Sequence, residues 1–200
     1  MSRPWLTLLE WWFGPAESPA GVLKPRNALW FGKHPANDRE ARERFGEQMQ
    51  QALHGGLQDW LVEPQGWLAL VLLLDQLPRM IHRDTAQAWS GDARAQALVR
   101  DGLAQGRDLQ LLPLQRTFIY LVLEHSEDLA DQNHAIERFK ALLDAASDAE
   151  RDDLRRSLDY AERHQRIIAR FGRFPHRNAP LGRASTAEEL AFLETPGSSF

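Results

Sequence analysis

The stretch PQGWLALVLLL, residues 64–74, constrains what this chain can fold into more than any other segment. It is the longest uncharged run in the body of the chain, and Glu63 and Asp75 flank it. A helix needs roughly 20 apolar residues to cross a bilayer, so this run falls far short of a membrane span. It is also too uniformly apolar to form one face of a surface helix. A helix at 64–77 must therefore lie at the centre of a fold, with neighbours on every side. Pro78 is expected to end it and to open a second short helical piece.

Helical periodicity dominates the remainder, and strand-like alternation is nearly absent. A short helix is expected over about Arg3 to Trp12, stopping at Phe13-Gly14-Pro15. Residues 14–35 carry several Pro and Gly and read as an extended loop, with Trp30-Phe31 as its anchor on the core. Asn37 or Asp38 is expected to cap a helix over 38–54, which Gly55-Gly56 ends. Further helices are expected from a Ser90 or Asp92 cap to Ala104, over Leu112 to His125, over 127–146 and over 148–171. Ser185 and Thr186, with Glu188 and Glu189 three residues on, form a capping-box signature for a last short helix. Seven or eight helices joined by short loops make an all-α array of antiparallel neighbours. No internal repeat or linker-like composition shift divides it, so 1–200 is read as a single domain.

Composition narrows the partners. The 200 residues carry a net charge of −4, which argues against wholesale nucleic-acid binding. There is no cysteine, hence no disulfide, thiolate metal site or cysteine nucleophile, and this fits a reducing cytoplasm. The opening MSRPWLTLLEWWFG is apolar but interrupted by Glu10 and lacks a small-residue cleavage site, which argues against a signal peptide. Seven His are scattered singly with no H-E-x-x-H and no carboxylate cluster, so no metal site is expected. Neither a G-x-S-x-G elbow nor a glycine-rich phosphate loop occurs, and no cofactor is implied.

Three segments place polar groups in apolar surroundings. In LLLDQLPRMIHRDT, residues 72–85, Asp75 follows the most hydrophobic helix, with Arg79 and Arg83 four and eight positions on. Either Asp75 and Arg79 form an ion pair that pins the turn, or Asp75 orients an arginine that faces a ligand. In YLVLEHSEDLADQ, residues 120–132, Ser126 can cap the following helix with acids in its first turn. His125 is left over, as a buried hydrogen-bonded imidazole or as a proton carrier. In RFGRFPHRNAPLGRAST, residues 170–186, four arginines and a histidine occur without one acid. Tyr160 and His164 share a face of the preceding helix, and Arg170 closes it. Phe171 and Phe174 are expected to dock while Arg173, His176, Arg177 and Asn178 are held between them.

The order WWFG, WF, LALVLLLDQLPR, EHSED-x-x-x-Q and RFGRFPHRN-x-x-LGR-x-ST-x-EE-x-x-F resembles an uncharacterised bacterial family, the domain of unknown function numbered nine-hundred-and-twenty-four. The resemblance runs from about Leu9 to Phe192. It implies an all-helical fold like the tetratricopeptide-repeat class, and it lends no activity. The chain departs from the family's pattern at MIHRDT, where His82 and Asp84 stand in place of an expected aromatic residue and a glycine.

Two functions are then open. One is a pocket for a small anionic metabolite, bearing phosphate or carboxylate. Its ligand-binding residues would be Asp75, Arg79, Arg83, Arg173, Arg177, Asn178 and Arg183, with His125 or His176 as acid or base. The other is a module that presents a helical groove to a protein or peptide partner. In the first, most of the seven Trp belong to the core; in the second, they line an exposed groove.

Overall fold

A computed structural model describes residues 3–14 and 26–198. The expected loop therefore lies partly outside the described residues, at 15–25. Among the described residues the chain is all-helical, without a strand. Nine α-helices follow in order: α1 (Leu6–Phe13), α2 (Asn27–Trp30), α3 (Pro35–Leu53), α4 (Pro64–Ile81), α5 (Asp92–Ala104), α6 (Pro113–Glu124), α7 (Leu129–Asp144), α8 (Asp148–Phe171) and α9 (Ala187–Leu193). The one beyond the expected eight is α2, a single turn in the stretch read as loop.

The chain divides into two compact units. The first comprises Met1–Arg83 and Gln87–Val122, the second Asp84–Ala86 and Leu123–Phe200. In the first, α4 is the hub, packed against α1, α3 and α5. Every residue from Gly66 to Pro78 is buried, as an all-round apolar helix demands. Trp12, Phe13 and Trp30 gather edge-on around Phe118, with ring centroids 5.4, 5.4 and 4.9 Å away. Trp30 Nε1 donates to the Trp12 carbonyl at 2.9 Å, so the buried indole is satisfied. Trp30 is the anchor expected, whereas its neighbour Phe31 is exposed.

In the second unit α7 and α8 pair along their length across the three-residue connection Ala145–Ser147. A capping box opens α8: Glu150 accepts from the Ser147 hydroxyl and backbone N–H. Gly172, at φ +68°, closes the same helix in the left-handed region, donating to the Ile168 carbonyl at 2.8 Å.

Several boundaries differ from the sequence reading, each for a local reason. Helix α4 does not stop at Pro78 but runs to Ile81. A proline in a helix interior costs roughly 3 kcal/mol, and burial of both flanking segments in the core offsets it. Helix α3 starts at Pro35 rather than behind an Asn37 or Asp38 cap, because proline suits the first helical position. Neither Ser90 nor Asp92 caps α5; Gly91 sits at the cap, and the Asp92 carboxylate is committed to Arg79. At α7 the cap is Asp128, whose carboxylate accepts from Ala130 N–H, while Ser126 accepts from Asp128 N–H one step earlier.

Two backbone positions yield a prediction. A Cβ at Gly91 would stand 2.1 Å from the Leu74 carbonyl oxygen, on the turn of α4 that Pro78 deprives of its N–H donor. Asp84 occupies the left-handed region at φ +59°, a conformation that suits glycine better than a residue with a Cβ. Gly91→Ala is expected to destabilise by roughly 1–3 kcal/mol through overpacking, and Asp84→Gly to stabilise by about 0.5 kcal/mol. Urea unfolding of the two variants checks both signs.

Candidate functional site

In the first unit the DQLPR segment becomes a closed ion-pair network. Asp75 is wholly buried; its Oδ1 lies 3.0 Å from Arg79 Nη1, and its Oδ2 accepts from Gln76 Nε2 at 2.6 Å. Arg79 also grips Asp92 with both nitrogens, at 2.9 and 3.0 Å, and donates to the Asp75 carbonyl at 2.7 Å. Burial opposes the guanidinium charge, but Asp75 and Asp92 outweigh it and hold the Arg79 pKa above its ordinary value. Arg83 turns elsewhere, to a two-pronged pair with Asp38 on α3 at 2.6 and 2.7 Å. A shallow surface hollow of about 430 Å³ in this unit is lined by Trp11, Arg26, Asn27, Asn37 and Glu40 among others, and by none of the candidate ligand-binding or acid–base residues.

In the second unit the arginine-rich stretch wraps one ring. Phe174 is wholly buried, in a small apolar cluster with Ile167 and Ile168. The Arg177 guanidinium lies 4.4 Å from its centroid, the His164 ring meets it edge-on at 5.5 Å, and the His176 ring is 5.6 Å away. His125 stands 6.3 Å from His164. The backbone N–H of Phe174 donates to Glu127 Oε1 at 2.8 Å. Arg183 binds the same carboxylate at 2.6 and 2.9 Å, and the Phe174 carbonyl at 3.2 Å.

The other arginines of the stretch find acids on or beside α9. Arg170 pairs with Glu188 at 2.8 Å. Arg173 holds both oxygens of Glu189 at 2.6 and 2.8 Å, and the Ala184 carbonyl at 2.9 Å. Glu189 completes the predicted capping box: its carboxylate accepts from Thr186 N–H at 2.7 Å, and its own N–H donates to Thr186 Oγ1 at 3.2 Å. Asn178, wholly buried, donates to Ser185 Oγ at 3.1 Å and also bonds Glu189.

The residue that sequence reasoning did not single out as an acid or base is His164. Its Nδ1 lies 2.9 Å from the Tyr160 carbonyl and 3.0 Å from Glu124 Oε1, with both side chains buried. A carbonyl can only accept, so Nδ1 carries a proton and Nε2 is the acceptor nitrogen of the neutral ring. The Tyr160 spacing was visible as i, i+4. The Glu124 contact was not, because 40 positions separate the two residues.

The electrostatics of this cluster are uneven. Burial and the Arg177 charge, with His164 and His125 adding to them against Glu127, lower the His176 pKa to about 3. For Glu127, burial works upward, but hydrogen bonds from Arg183 and Phe174 N–H and the charges of Arg183 and Arg177 hold it below the usual range. Hydrogen bonds from Arg173 and Thr186 N–H bring Glu189 to about 2. No group of three or more His, Asp or Glu among the described residues has the geometry to hold a metal ion.

Fold and side chains together define an all-helical protein in which guanidinium–carboxylate pairs surround three clustered imidazoles, that of His164 buried and those of His125 and His176 half-buried. Residues 8–197 match the family described as "Bacterial protein of unknown function (DUF924)", and the chain belongs to that family. No curated protein matches it. Among solved structures, the protein of unknown function ATU0120 from Agrobacterium tumefaciens is similar, with a TM-score of 0.74 and 36% identity, over 82% of this chain and 88% of that one.

Acid is expected to loosen the second unit in two stages. Unfolded, His176 takes a proton near 6.5; folded, it resists down to about 3, so stability complete above 6.5 declines through that window. Glu189 contributes fully above 4.5, and its share is lost as pH falls toward 2. Urea midpoints should drop between pH 7.5 and pH 2.5, with His176→Gln flattening the decline between pH 6.5 and pH 4.5 and Glu189→Gln flattening it below pH 4.5. A midpoint that stays level from pH 7.5 to pH 4 would contradict the assignment.

Proposed function

We propose that this protein binds, and through its imidazoles turns over, a small anionic metabolite bearing a phosphate or carboxylate group, in a reducing cytoplasm. The observation that carries this reading is the gathering of His164, His176 and Arg177 around Phe174, with His125 beside His164. A packed helical core has no need of imidazoles for its stability, and groups that titrate out of their ordinary range concentrate where chemistry is done. Arg177 supplies positive charge, while a neutral His176 beside it supplies a lone pair or, once protonated, a donor. The Glu124–His164 pair has the geometry of an oriented base, a carboxylate fixing one ring nitrogen so that the other acts.

Arg79, Arg83, Arg173 and Arg183 each hold a carboxylate, so their role in this reading is to set the framework. The paired helices, α3 with α4 and α7 with α8, support a tetratricopeptide-like reading of the scaffold. A peptide-binding groove is the weaker alternative, because Trp5, Trp11, Trp12, Trp30, Trp60 and Trp67 are all buried. Indoles committed to the core do not line an exposed groove. No helix among the described residues is long and apolar enough to cross a membrane.

A thermal-shift screen against phosphate, sulfate, carboxylates, nucleotides and sugar phosphates tests the reading. Ligand at about 100 times its Kd adds roughly 2.7 kcal/mol, or about 5–10 °C for a chain of this size. Arg177→Ala is expected to fold and to lose the shift. Arg173→Ala is expected to lower the melting temperature of the ligand-free protein, since Arg173 ties Glu189 and Ala184 together. If no anion class moves the wild-type transition, the proposal fails.

A further inference from the structure

We infer, resting on the small-anion reading, that Gln132 is the positioning residue of this site: one buried carboxamide sets the two carboxylates, Glu124 and Glu127, that hold His164 and Phe174. Gln132 closes the stretch EHSED-x-x-x-Q, eight positions after Glu124. It is wholly buried, and its Nε2 donates to the carbonyl oxygens of Glu124 and of Ser126, the latter at 2.6 Å. The Leu123 carbonyl is 3.5 Å from the same nitrogen. Carbonyls only accept, so the nitrogen of the carboxamide, and not its oxygen, must face them.

A local need explains the clamp. Helix α6 ends at Glu124, and the last carbonyls of a helix have no donor within it. The common remedy is a glycine in the left-handed region just beyond the end, and His125–Asp128 contains neither a glycine nor a positive φ. Ser126 N–H serves the Leu123 carbonyl at 3.0 Å. The carbonyls of Glu124 and Ser126 fall to Gln132, at the fourth position of α7, where a side chain leans back toward the N-terminus of its helix.

Each of those two carbonyls belongs to a peptide unit that adjoins an acid of the site. The Glu124 carbonyl fixes the unit between Glu124 and His125, and the Ser126 carbonyl fixes the unit that carries the Glu127 nitrogen. A peptide unit is planar, so holding its oxygen also orients the Cα from which the acidic side chain departs. From there Glu124 meets His164 Nδ1 at 3.0 Å, and Glu127 accepts from Phe174 N–H at 2.8 Å and from Arg183 at 2.6 and 2.9 Å. Gln132 acts on the ring of His164 and on the backbone of Phe174 through these two carboxylates. Groups that bind or react need such support to stay within roughly 0.5 Å of their working geometry.

NMR of the full chain, labelled with heavy nitrogen, reads both ties without a ligand. In the wild type with the ring neutral, the His164 nitrogens should lie far apart in shift, Nδ1 protonated and Nε2 not. The Phe174 N–H should lie downfield through its bond to the Glu127 carboxylate. Gln132→Met keeps the length of the side chain and removes the donor; it is expected to draw the two ring nitrogens together and to move the Phe174 N–H upfield. Leu154, buried on α8 ten residues before His164, stands about 15 Å along the helix from it. Leu154→Ala is expected to lower the melting temperature and to leave both reporters in place. A folded Gln132→Met in which either reporter keeps its wild-type position overturns the inference, as does a Leu154→Ala that moves both. Should Gln132→Met not fold, hydrogen exchange in the wild type decides. The Gln132 side-chain protons are expected to exchange as slowly as the backbone N–H of Phe139 in the same helix; exchange as fast as that of the exposed Gln110 side chain overturns the clamp. An anion screen without a hit removes the small-anion reading and leaves these reporters to decide the role of Gln132 separately.

Discussion

A guanidinium drawn out of water must meet a carboxylate, and this requirement organises both units of the protein. Breaking a buried pair by removing one partner costs about 3–5 kcal/mol, more than most single contacts contribute. In the first unit Arg79 bridges Asp75 on its own helix and Asp92 at the start of α5, so the core helix and its neighbour share one cation. Arg83 fixes the end of α4 against α3 through Asp38. In the second unit Arg183 and Phe174 N–H meet on Glu127, while Arg173 and the Thr186 cap meet on Glu189. The loop between α8 and α9 is therefore tied at both ends by carboxylates that each serve more than one residue. This is why four arginines without a local acid are tolerated between residues 170 and 186.

The same ties create the environment of the histidines. Glu127 neutralises Arg183 and part of the field of Arg177, but it is spent on those donors and leaves His176 facing a guanidinium. Glu124 is given instead to His164, fixing its tautomer. Two imidazoles about one phenylalanine thus have opposite settings, one matched to a carboxylate and one set against a cation. Divergent environments for neighbouring titratable groups are the arrangement from which acid and base roles separate.

Much of the fold could be read from the chain because its signals are local. The apolar run at 64–74 dictated a central helix, and Thr186 with Glu189 announced the last helix and its cap. What the sequence left hidden depends on distant partners. Pro78 signals a helix end locally, yet the turn beyond it stays helical because Met80 and Ile81 are buried. Asp92 looks like a cap and is an ion-pair partner 13 positions from Arg79. The site follows the same rule. The arginines were legible as a cluster, whereas their division among Asp38, Asp92, Glu127 and Glu189 is tertiary. His164 was passed over because its carboxylate lies 40 positions away.

The consequence is that at Phe174 the packing of the core and the arrangement of the charged groups around it are tied to one side chain. Phe174 contributes its apolar ring to the core, its backbone N–H to Glu127 and its edge and face to His164 and Arg177. Truncating it would open a cavity, which for Phe→Ala costs about 3–5 kcal/mol, and would release the imidazoles in the same step. A substitution that keeps the ring and alters only the charge beside it, at Arg177 or His176, separates the two effects. The pairs on Glu127 and Glu189 then continue to hold the loop, so such a substitution changes the charge beside the ring and leaves its frame in place.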